Sequence, residues 1–358
     1  MKELPDDLFD LAAALVDIPS QSRKEGRLAG ILEADLRSCS HLDVLRVGDS
    51  VVARTGLGRA ERVCLAGHMD TVRPAGNERA RVEEGTLWGV GSVDMKGGIA
   101  VLLDLARTVE EPVVDLTYVF YACEEIDHSE NALGRIAVES PEVIAADAAV
   151  LCEPTGGVVQ AGCQGTMRAR VRLSGRPAHT ARPWMGTNAI HRMAPLLALL
   201  GSYDSRRVEL DGCEYADQLQ AVRVEGGVAG NVVPGEAELT LNYRFAPDRS
   251  EAEAEAELRR LLSPVLDEVI GDRVEVLDIA PGAPPFLRHP LIAKLVGATG
   301  RPPEAKVGWT DVATFFAAGV PAANFGPGDP SLAHSPDEHV SEAELAEARG
   351  VLAALISA

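Results

Sequence analysis

The chain has 358 residues, of which 46% are hydrophobic and 25% charged, and its formal net charge is −20. This length exceeds one ordinary hydrophobic core and predicts two domains, at about 150 residues each. The composition is typical of a globular protein, and the acidic excess argues against nucleic acid or an anionic membrane surface as a partner.

The N-terminal stretch MKELPDDLFD is acidic and lacks the basic-then-apolar order of a signal peptide. No run reaches the roughly 18 apolar residues that a membrane helix needs. We therefore expect a cytoplasmic protein. The six cysteines form no C-x-x-C pair, which predicts reduced thiols without disulfides.

The first half of the chain predicts an α/β domain. Apolar residues at helical spacing predict helices over 4–17 and 23–38. From Val63 onward, short apolar runs rich in β-branched residues alternate with helical stretches, as strands 63–66, 113–122 and 148–152 and a helix over 99–109. Continuous apolar strands that alternate with helices indicate a largely parallel sheet covered on both faces.

The stretch from 166 to 280 has a different pattern. Its predicted elements are a strand at 167–173, a helix at 188–200, strands at 206–210, 218–225 and 236–245, a helix at 251–270 and a strand at 273–279. With the second and third strands counted as an adjacent pair, the order is β-α-β-β-α-β, the ferredoxin-like arrangement.

The proline-rich stretch 281–285 marks the return to the first domain, with a helix from Pro290, a strand at 322–325 and a helix at 342–356. We predict the α/β class. A discontinuous catalytic domain of residues 1–165 and 281–358 contains a mostly parallel mixed sheet flanked by helices. An inserted α+β lid domain covers 166–280.

Residues of the kind that bind metals lie at the ends of the predicted strands. His68 follows the first strand, Glu124 and Glu125 the second, and Glu153 the third, while His334 comes shortly after the last. Asp94 precedes a helix. In open α/β sheets, ligands bind beyond the carboxyl ends of the strands, so we expect these side chains to share one edge.

Carboxylate oxygens and imidazole nitrogens suit zinc, and a two-metal site needs a bridging carboxylate, for which Asp94 is well placed. Asp70, two residues beyond His68, can accept the other imidazole N–H and so orient the ring. One acid of the pair Glu124 and Glu125 can bind metal while the other moves protons between water and the leaving amine.

Each signal has an ordinary alternative when it is considered alone. His68 could be a polar residue without a ligand role, Asp94 a helix cap, and Glu153 part of a strand-ending turn. His334 and His179 could be loop histidines. Four independent coincidences at strand ends are harder to accept than one site, so we favour the site. Asn231 and Arg244 have the alternative of exposed polar residues.

The motifs H-M-D (68–70), G-x-x-D-M-K-G-G (91–98), C-E-E (123–125), C-E-P (152–154) and A-H-S (333–335) resemble, in this order, the metallo-aminoacylase and carboxypeptidase family. The resemblance covers essentially the whole chain. It implies two Zn²⁺ per subunit, for which Co²⁺ can substitute. The implied roles are His68 and Glu153 on one ion, Glu125 and His334 on the other, Asp94 bridging, Glu124 as general base and Asp70 behind His68.

The same resemblance implies a homodimer formed through the lid domain. His179 would then reach the partner's active site and stabilise the oxyanion. Arg244 and Asn231 would hold carboxylates of a small acidic acyl amino-acid substrate, Arg244 through a bidentate contact. Thr310 is a further candidate contact.

Three other stretches, 242–248, 308–311 and 324–330, resemble the actinobacterial members of the family that remove a succinyl group. They imply hydrolysis of N-succinyl-LL-2,6-diaminopimelate to succinate and LL-2,6-diaminopimelate in lysine biosynthesis. The loop 328–333 departs from the corresponding enzymes of other bacteria, which carry polar substrate-contacting residues there.

Other functions stay open at this point. An N-acetylornithine deacetylase or a dipeptidase of the same family would use the same ligands on another substrate. An inactive relative that binds a metabolite is an alternative of a different class. The free carboxylate of Glu124 argues against that alternative, because a binding module has no need of a general base.

Overall fold

The computed structural model describes residues 4–357. Its α-helices are α1 Leu8–Val16, α2 Gly26–Leu36, α3 Lys96–Thr108, α4 Ala132–Glu139, α5 Pro141–Ile144, α6 Met193–Gly201, α7 Glu251–Leu262, α8 Pro290–Thr299, α9 Val312–Ala317 and α10 Glu342–Ile356.

The strands are β1 Asp43–Val47, β2 Ser50–Arg54, β3 Arg62–His68, β4 Arg81–Glu83, β5 Thr86–Trp88, β6 Asp115–Tyr121, β7 Ala148–Leu151, β8 Gln160–Ala161, β9 Gly165–Ser174, β10 Ala178–His179, β11 Arg207–Leu210, β12 Cys213–Ala216, β13 Gln218–Gly226, β14 Val232–Val233, β15 Glu236–Phe245, β16 Arg273–Ala280, β17 Glu304–Ala305, β18 Ala322–Asn324 and β19 His339–Ser341.

The described residues form two compact units. The first comprises 4–162, 285–306 and 310–357. Its main sheet has the order β1-β2-β6-β3-β7-β18-β8-β17. The central pairs β6–β3, β3–β7 and β7–β18 are parallel, whereas β1–β2, β2–β6 and β18–β8 are antiparallel. The predicted α/β class with a mostly parallel mixed sheet is therefore confirmed.

The central strands are buried along almost their whole length: every residue of β6, β7 and β18 is buried, and every residue of β3 except Arg62. Their apolar side chains join those of α1, α2, α3, α8 and α10 in one continuous core. Burial on both faces explains why these strands appear in the sequence as unbroken apolar runs rather than as alternating ones.

The second unit comprises 163–284 and 307–309. Its antiparallel sheet has the order β13-β15-β9-β16. Buried and accessible residues alternate along β9 and β15. The buried rows pack against α6 and α7, and the opposite face of the sheet is open. The chain order β9-α6-β13-β15-α7-β16 is the β-α-β-β-α-β order that the sequence predicts.

Several predicted boundaries are wrong. The helix predicted over 251–270 ends at Leu262, because Pro264 has no N–H to continue it. The helix predicted from 188 starts at Met193, since Asn188 binds the amides of Ile190 and His191 and forms a turn instead.

Other elements also differ from the prediction. The strand predicted at 206–210 pairs with β12 in a separate hairpin and not with the four-stranded sheet. The hairpin β1–β2 at the edge of the main sheet was not predicted. Helix α1 starts at Leu8, where the carboxylate of Asp7 caps it through the amides of Phe9 and Asp10.

Within residues 4–357, the helices are all too short or too polar to cross a bilayer. All six cysteines are free thiols.

Candidate functional site

The parallel strands β6, β3, β7 and β18 are neighbours, so their carboxyl ends meet at one edge of the sheet. His68 is the last residue of β3. Glu124 and Glu125 follow the end of β6, and Glu153 follows the end of β7. The strands thus deliver these four side chains to a common edge, as expected from the sequence.

Asp94 lies between the two histidines. Its Oδ1 is 3.0 Å from Nε2 of His68, and its Oδ2 is 3.4 Å from Nε2 of His334. Nε2 of His334 is also 2.8 Å from Oε1 of Glu125, and Nε2 of His68 is 3.9 Å from Oε1 of Glu153. One carboxylate therefore uses both oxygens to join two groups of side chains.

These groups have the spacing that a metal ion requires. His68, Asp94 and Glu153 offer ligand atoms within 4.8 Å of one another, and so do Asp94, Glu125 and His334. His68, Glu124 and Glu125 form a third such group. All five residues predicted as ligands occur in the first two groups, and Asp94 is the member that both share. This sharing is the geometry expected of a bridging ligand.

Negative charge is concentrated at this edge. Burial, to which the charge of the neighbouring Asp94 adds, raises the pKa of Glu153 to about 7. Burial also raises the pKa of Glu124 well above its usual range; the charges of Glu153 and Glu125 add to this shift, while His68 opposes it. Oε1 of Glu153 is buried and has no hydrogen-bond partner among the described residues. A cation would relieve both the repulsion and the missing contact.

The pKa values of the two histidines are raised as well, which favours their charged form. Hydrogen bonds with Asp94 and Glu125 raise the pKa of His334 to about 10. Burial opposes protonation of His68, but Asp70 and Asp94 outweigh it and raise its pKa well above the usual value. Because both imidazoles lie against carboxylates, their protonated forms supply the positive charge that a bound cation would supply.

Asp70 is fully buried and accepts three hydrogen bonds. Its Oδ1 accepts from the amide of Glu124 at 3.0 Å, and its Oδ2 from the amide of Glu125 at 3.1 Å and the hydroxyl of Ser22 at 2.8 Å. Burial opposes its ionisation, yet His68 and these amides outweigh it and lower its pKa. Asp70 therefore holds the backbone that carries Glu124 and Glu125.

The predicted contact between Asp70 and the ring of His68 differs in detail. Nδ1 of His68 lies 3.0 Å from the backbone carbonyl of Asp70 and 3.6 Å from Oδ1 of its carboxylate. The carbonyl is thus the hydrogen-bond acceptor that orients the ring, since the carboxylate is occupied by backbone amides. The proton of the neutral ring then lies on Nδ1 and leaves Nε2 free for a metal.

Glu338 was not among the predicted site residues. It is buried, and its Oε1 accepts from the amides of Val93 and Asp94, both at 3.0 Å. Burial raises its pKa to about 7. The carboxylate fixes the backbone of Asp94, although the two residues are 244 apart in sequence. In the sequence, only the position of Glu338 four residues after His334 could have suggested that it belongs to the site.

Three of the predicted residues lie in the second unit. His179 and Asn231 are brought together there, because His179 pairs with Val232 between β10 and β14 and the amide of Thr180 donates to the carbonyl of Asn231. Nδ1 of the exposed His179 accepts from the amide of Ala181 at 3.0 Å. The neutral ring consequently has its proton on Nε2, which points away from this contact and can donate.

Arg244 lies on the open face of the four-stranded sheet, half-buried, with Nε donating to Oδ1 of Asn242 at 3.1 Å. Burial lowers its pKa. Within the described chain it forms no ion pair with a carboxylate. Thr310 belongs to the first unit, where its hydroxyl donates to Oδ1 of Asn324 at 2.8 Å and only 3% of the residue is exposed.

Residues 64–358 match Peptidase family M20/M25/M40. The chain is 51% identical over 341 residues to a DapE protein of Mycobacterium tuberculosis assigned as a succinyl-diaminopimelate desuccinylase, with 95% of each chain covered. It is 43% identical to the succinyl-diaminopimelate desuccinylase of Corynebacterium glutamicum, over 99% of this chain and 97% of that one.

Among solved structures, an M20 family metallo-carboxypeptidase from Sulfolobus solfataricus shares the fold, with a TM-score of 0.78 at 15% identity over 98% of each chain. The matched family model and the mostly parallel sheet define a metal-dependent hydrolase of the peptidase class. The chain belongs to Peptidase family M20/M25/M40. The family membership predicted from the motifs is thereby confirmed.

The role of Asp70 as a backbone acceptor can be tested without metal. In Asp70→Asn, an amide group would face a backbone N–H, so we expect the amides of Glu124 and Glu125 to exchange about tenfold faster or more, since a buried donor loses its acceptor. Hydrogen–deuterium exchange of chelator-treated protein measures this rate.

Asp115→Asn is the matched control. The carboxylate of Asp115 accepts from the amides of Leu57 and Arg59 at the opposite end of β6, so this variant should accelerate exchange there and leave 124–125 unchanged. Unaltered exchange of residues 124–125 in Asp70→Asn would contradict the assignment.

Proposed function

We propose that this chain hydrolyses N-succinyl-LL-2,6-diaminopimelate to succinate and LL-2,6-diaminopimelate, with two divalent metal ions in each subunit. The observation that carries the proposal is the carboxylate–imidazole cluster with Asp94 shared between two ligand groups. The names of the mycobacterial and corynebacterial relatives support the choice of substrate. This reaction would place the chain in lysine and diaminopimelate biosynthesis.

The donor set fits a pair of zinc ions, with cobalt as a substitute. His68 and Glu153 would hold one ion, Glu125 and His334 the other, and Asp94 both. The buried oxygen of Glu153 without a partner, together with the raised pKa values of Glu153 and Glu124, supports a cation at this place. The ions would polarise the amide carbonyl and make water a stronger acid.

Glu124 is the general base in this proposal. Its carboxylate lies beside the ligand groups, and its raised pKa suits a group that takes a proton and later returns it near neutral pH. It would accept a proton from the attacking water and deliver it to the nitrogen as the amide C–N bond breaks. The second proton of that water is also transferred to the nitrogen, so the products are a carboxylate and an ammonium group, and atoms and charge balance.

The proposal predicts that metal-free protein releases succinate from the succinyl substrate only after two equivalents of zinc are added. Glu124→Gln should bind the same amount of metal and lose about 10²- to 10⁴-fold in kcat, because it cannot transfer the proton. Succinate release and metal content by emission spectrometry measure both quantities.

Glu130→Gln provides a control on the loop after Glu124, where Glu130 forms an exposed ion pair with Arg23; it should remain active. N-acetylornithine and a dipeptide serve as competing substrates. Turnover of either in place of the succinyl compound would move the chain to another reaction of its family, and metal binding without any turnover would favour a binding module.

Arg244 would bind a substrate carboxylate. A half-buried guanidinium with no ion pair among residues 4–357 is unusual in a chain with net charge −20, and its planar fork suits a carboxylate bound through two hydrogen bonds. Asn231 would contribute a second polar contact. Thr310 could contribute only if its hydroxyl exchanged its bond with Asn324 for one to substrate.

We expect Arg244→Ala to lower kcat/KM about 10- to 100-fold, mainly through KM, since a charged hydrogen-bonded contact is lost. Initial rates over a range of substrate concentrations measure the effect. Arg170→Ala is the matched control, because Arg170 is already paired with Glu238 and Glu275. An equal loss in both variants would contradict a specific role for Arg244.

A homodimer through the second unit is the third part of the proposal. Strand β13 is an edge of the four-stranded sheet, and its Val222 and Val224 are 58% and 62% exposed. Leu197 on the neighbouring α6 is 45% exposed. An apolar edge strand of this kind can pair with the same strand of a second subunit, so that one sheet continues across a twofold axis. His179 would then serve the partner's site as an oxyanion donor.

Val222→Glu should convert the dimer to a monomer, because it places charge in the proposed interface. Sedimentation equilibrium measures the mass, and kcat should fall with dissociation if His179 acts across the dimer. Val269→Glu is the control, since Val269 is 95% exposed on another part of the same unit. A monomeric wild-type chain would contradict the proposal.

We also propose that the chain works in the cytoplasm. Its free thiols fit a reducing compartment, as does a role in amino-acid biosynthesis.

A further inference from the structure

The connection between α1 and α2, residues 17–25, contacts the loop that follows His68. The hydroxyl of Ser20 donates to the carbonyl of Met69 at 2.7 Å, and the amide of Thr71 donates to the carbonyl of Ser20 at 3.1 Å. Ser22 reaches Asp70 through its hydroxyl. The connection is therefore fixed to the residues that directly follow His68.

Glu25 is the last residue of this connection, and its carboxylate accepts hydrogen bonds from two backbone amides. It is 1% exposed, and its Oε1 accepts from the amide of Arg23 at 3.0 Å and the amide of Cys123 at 3.1 Å. The thiol of Cys123 lies 3.4 Å from the same oxygen. Although Glu25 is the residue before α2, its side chain does not cap that helix.

Both amides belong to residues in the left-handed region, with φ of 68° for Arg23 and 62° for Cys123. Such a conformation costs a residue with a side chain energy and persists where the surroundings stabilise it. Cys123 directly precedes Glu124 and Glu125, so its φ determines the direction in which these two side chains leave β6. One oxygen of Glu25 stabilises that turn.

A packing role alone does not explain a carboxylate here. A buried carboxylate is expensive unless it is compensated, and Oε2 of Glu25 has no hydrogen-bond partner among the described residues. An apolar side chain would fill the space at lower cost but would leave the amide of Cys123 without an acceptor. The acceptor function is what the carboxylate adds.

We propose that Glu25 is a positioning residue, which holds the left-handed Cys123 turn so that Glu125 reaches its metal position and Glu124 its substrate. Asp70 fixes the amides of Glu124 and Glu125 from the other side of the turn. The two carboxylates together fix three successive amides, 123 to 125. The inference rests on the roles proposed above for Glu124 and Glu125.

Glu25→Ala, Glu25→Asp and Glu25→Gln separate this role from a structural one. In Glu25→Ala the acceptor is lost, and in Glu25→Asp it is withdrawn by one methylene. We expect kcat to fall about 10- to 100-fold in both, with KM within about twofold of wild type. The reason is that both variants lose hydrogen bonds to a charged acceptor, and these bonds position the base. Glu25→Gln keeps an oxygen for both amides and should restore most of the activity.

Cobalt provides a readout that is independent of turnover. Titration of metal-free protein with Co²⁺ gives visible absorption that depends on ligand number and geometry. Glu25→Ala and Glu25→Asp should change the spectrum or the affinity of the ion that Glu125 binds, whereas Glu25→Gln should match wild type. Asp115→Ala is the control, since it removes a buried carboxylate that accepts backbone amides at the far end of β6; it should reduce thermal stability and leave kcat and the cobalt spectrum unchanged.

A lower melting temperature with unchanged kcat and cobalt spectrum in Glu25→Asp would overturn the proposal, as would failure of Glu25→Gln to restore either. If Glu25→Ala does not fold, Glu25→Asp decides the question. A wild-type chain inactive on the succinyl substrate would contradict the proposed function, and the cobalt spectra of the Glu25 variants would still decide whether this residue positions the turn.

Discussion

The carboxylate of Asp94 lies between two imidazoles, and the rest of the site depends on this contact. Its two oxygens face His68 and His334 at 3.0 and 3.4 Å, while Glu125 and Glu153 approach the same imidazoles from other strands. So many acidic groups in one partly buried place are costly to ionise, and burial together with the charge of Asp94 raises the pKa of Glu153 to about 7. The arrangement is stable only with protons or cations between the carboxylates.

A second set of carboxylates holds the first in place. Asp70 fixes the amides of Glu124 and Glu125, and Glu338 fixes the amide of Asp94. Glu25 does the same for Cys123. These acids accept hydrogen bonds from backbone N–H groups at the loop ends, so they stabilise the loops and leave the side chains proposed as metal ligands free. Precise placement of ligands requires such support.

The residues with proposed roles are divided between the two units. The first contains the cluster and the proposed base, built on rigid parallel strands. The second contains His179, Asn231 and Arg244, whose polar groups lie on an antiparallel sheet and its loops. The groups proposed to recognise substrate thus lie on a different unit from the groups proposed for hydrolysis.

The sequence by itself determined the α/β class, because strands that are buried on both faces consist of unbroken apolar runs. It also determined the strand ends at which His68, Glu124, Glu125 and Glu153 lie, because the motifs directly follow these runs. Only the tertiary structure decided that Asp94 faces both histidines and that Glu25 and Glu338 hold the loops. Glu338 and Asp94 are 244 residues apart, and Glu25 and Cys123 are 98 apart. Local periodicity contains no information about such contacts, since they form only when the chain has folded.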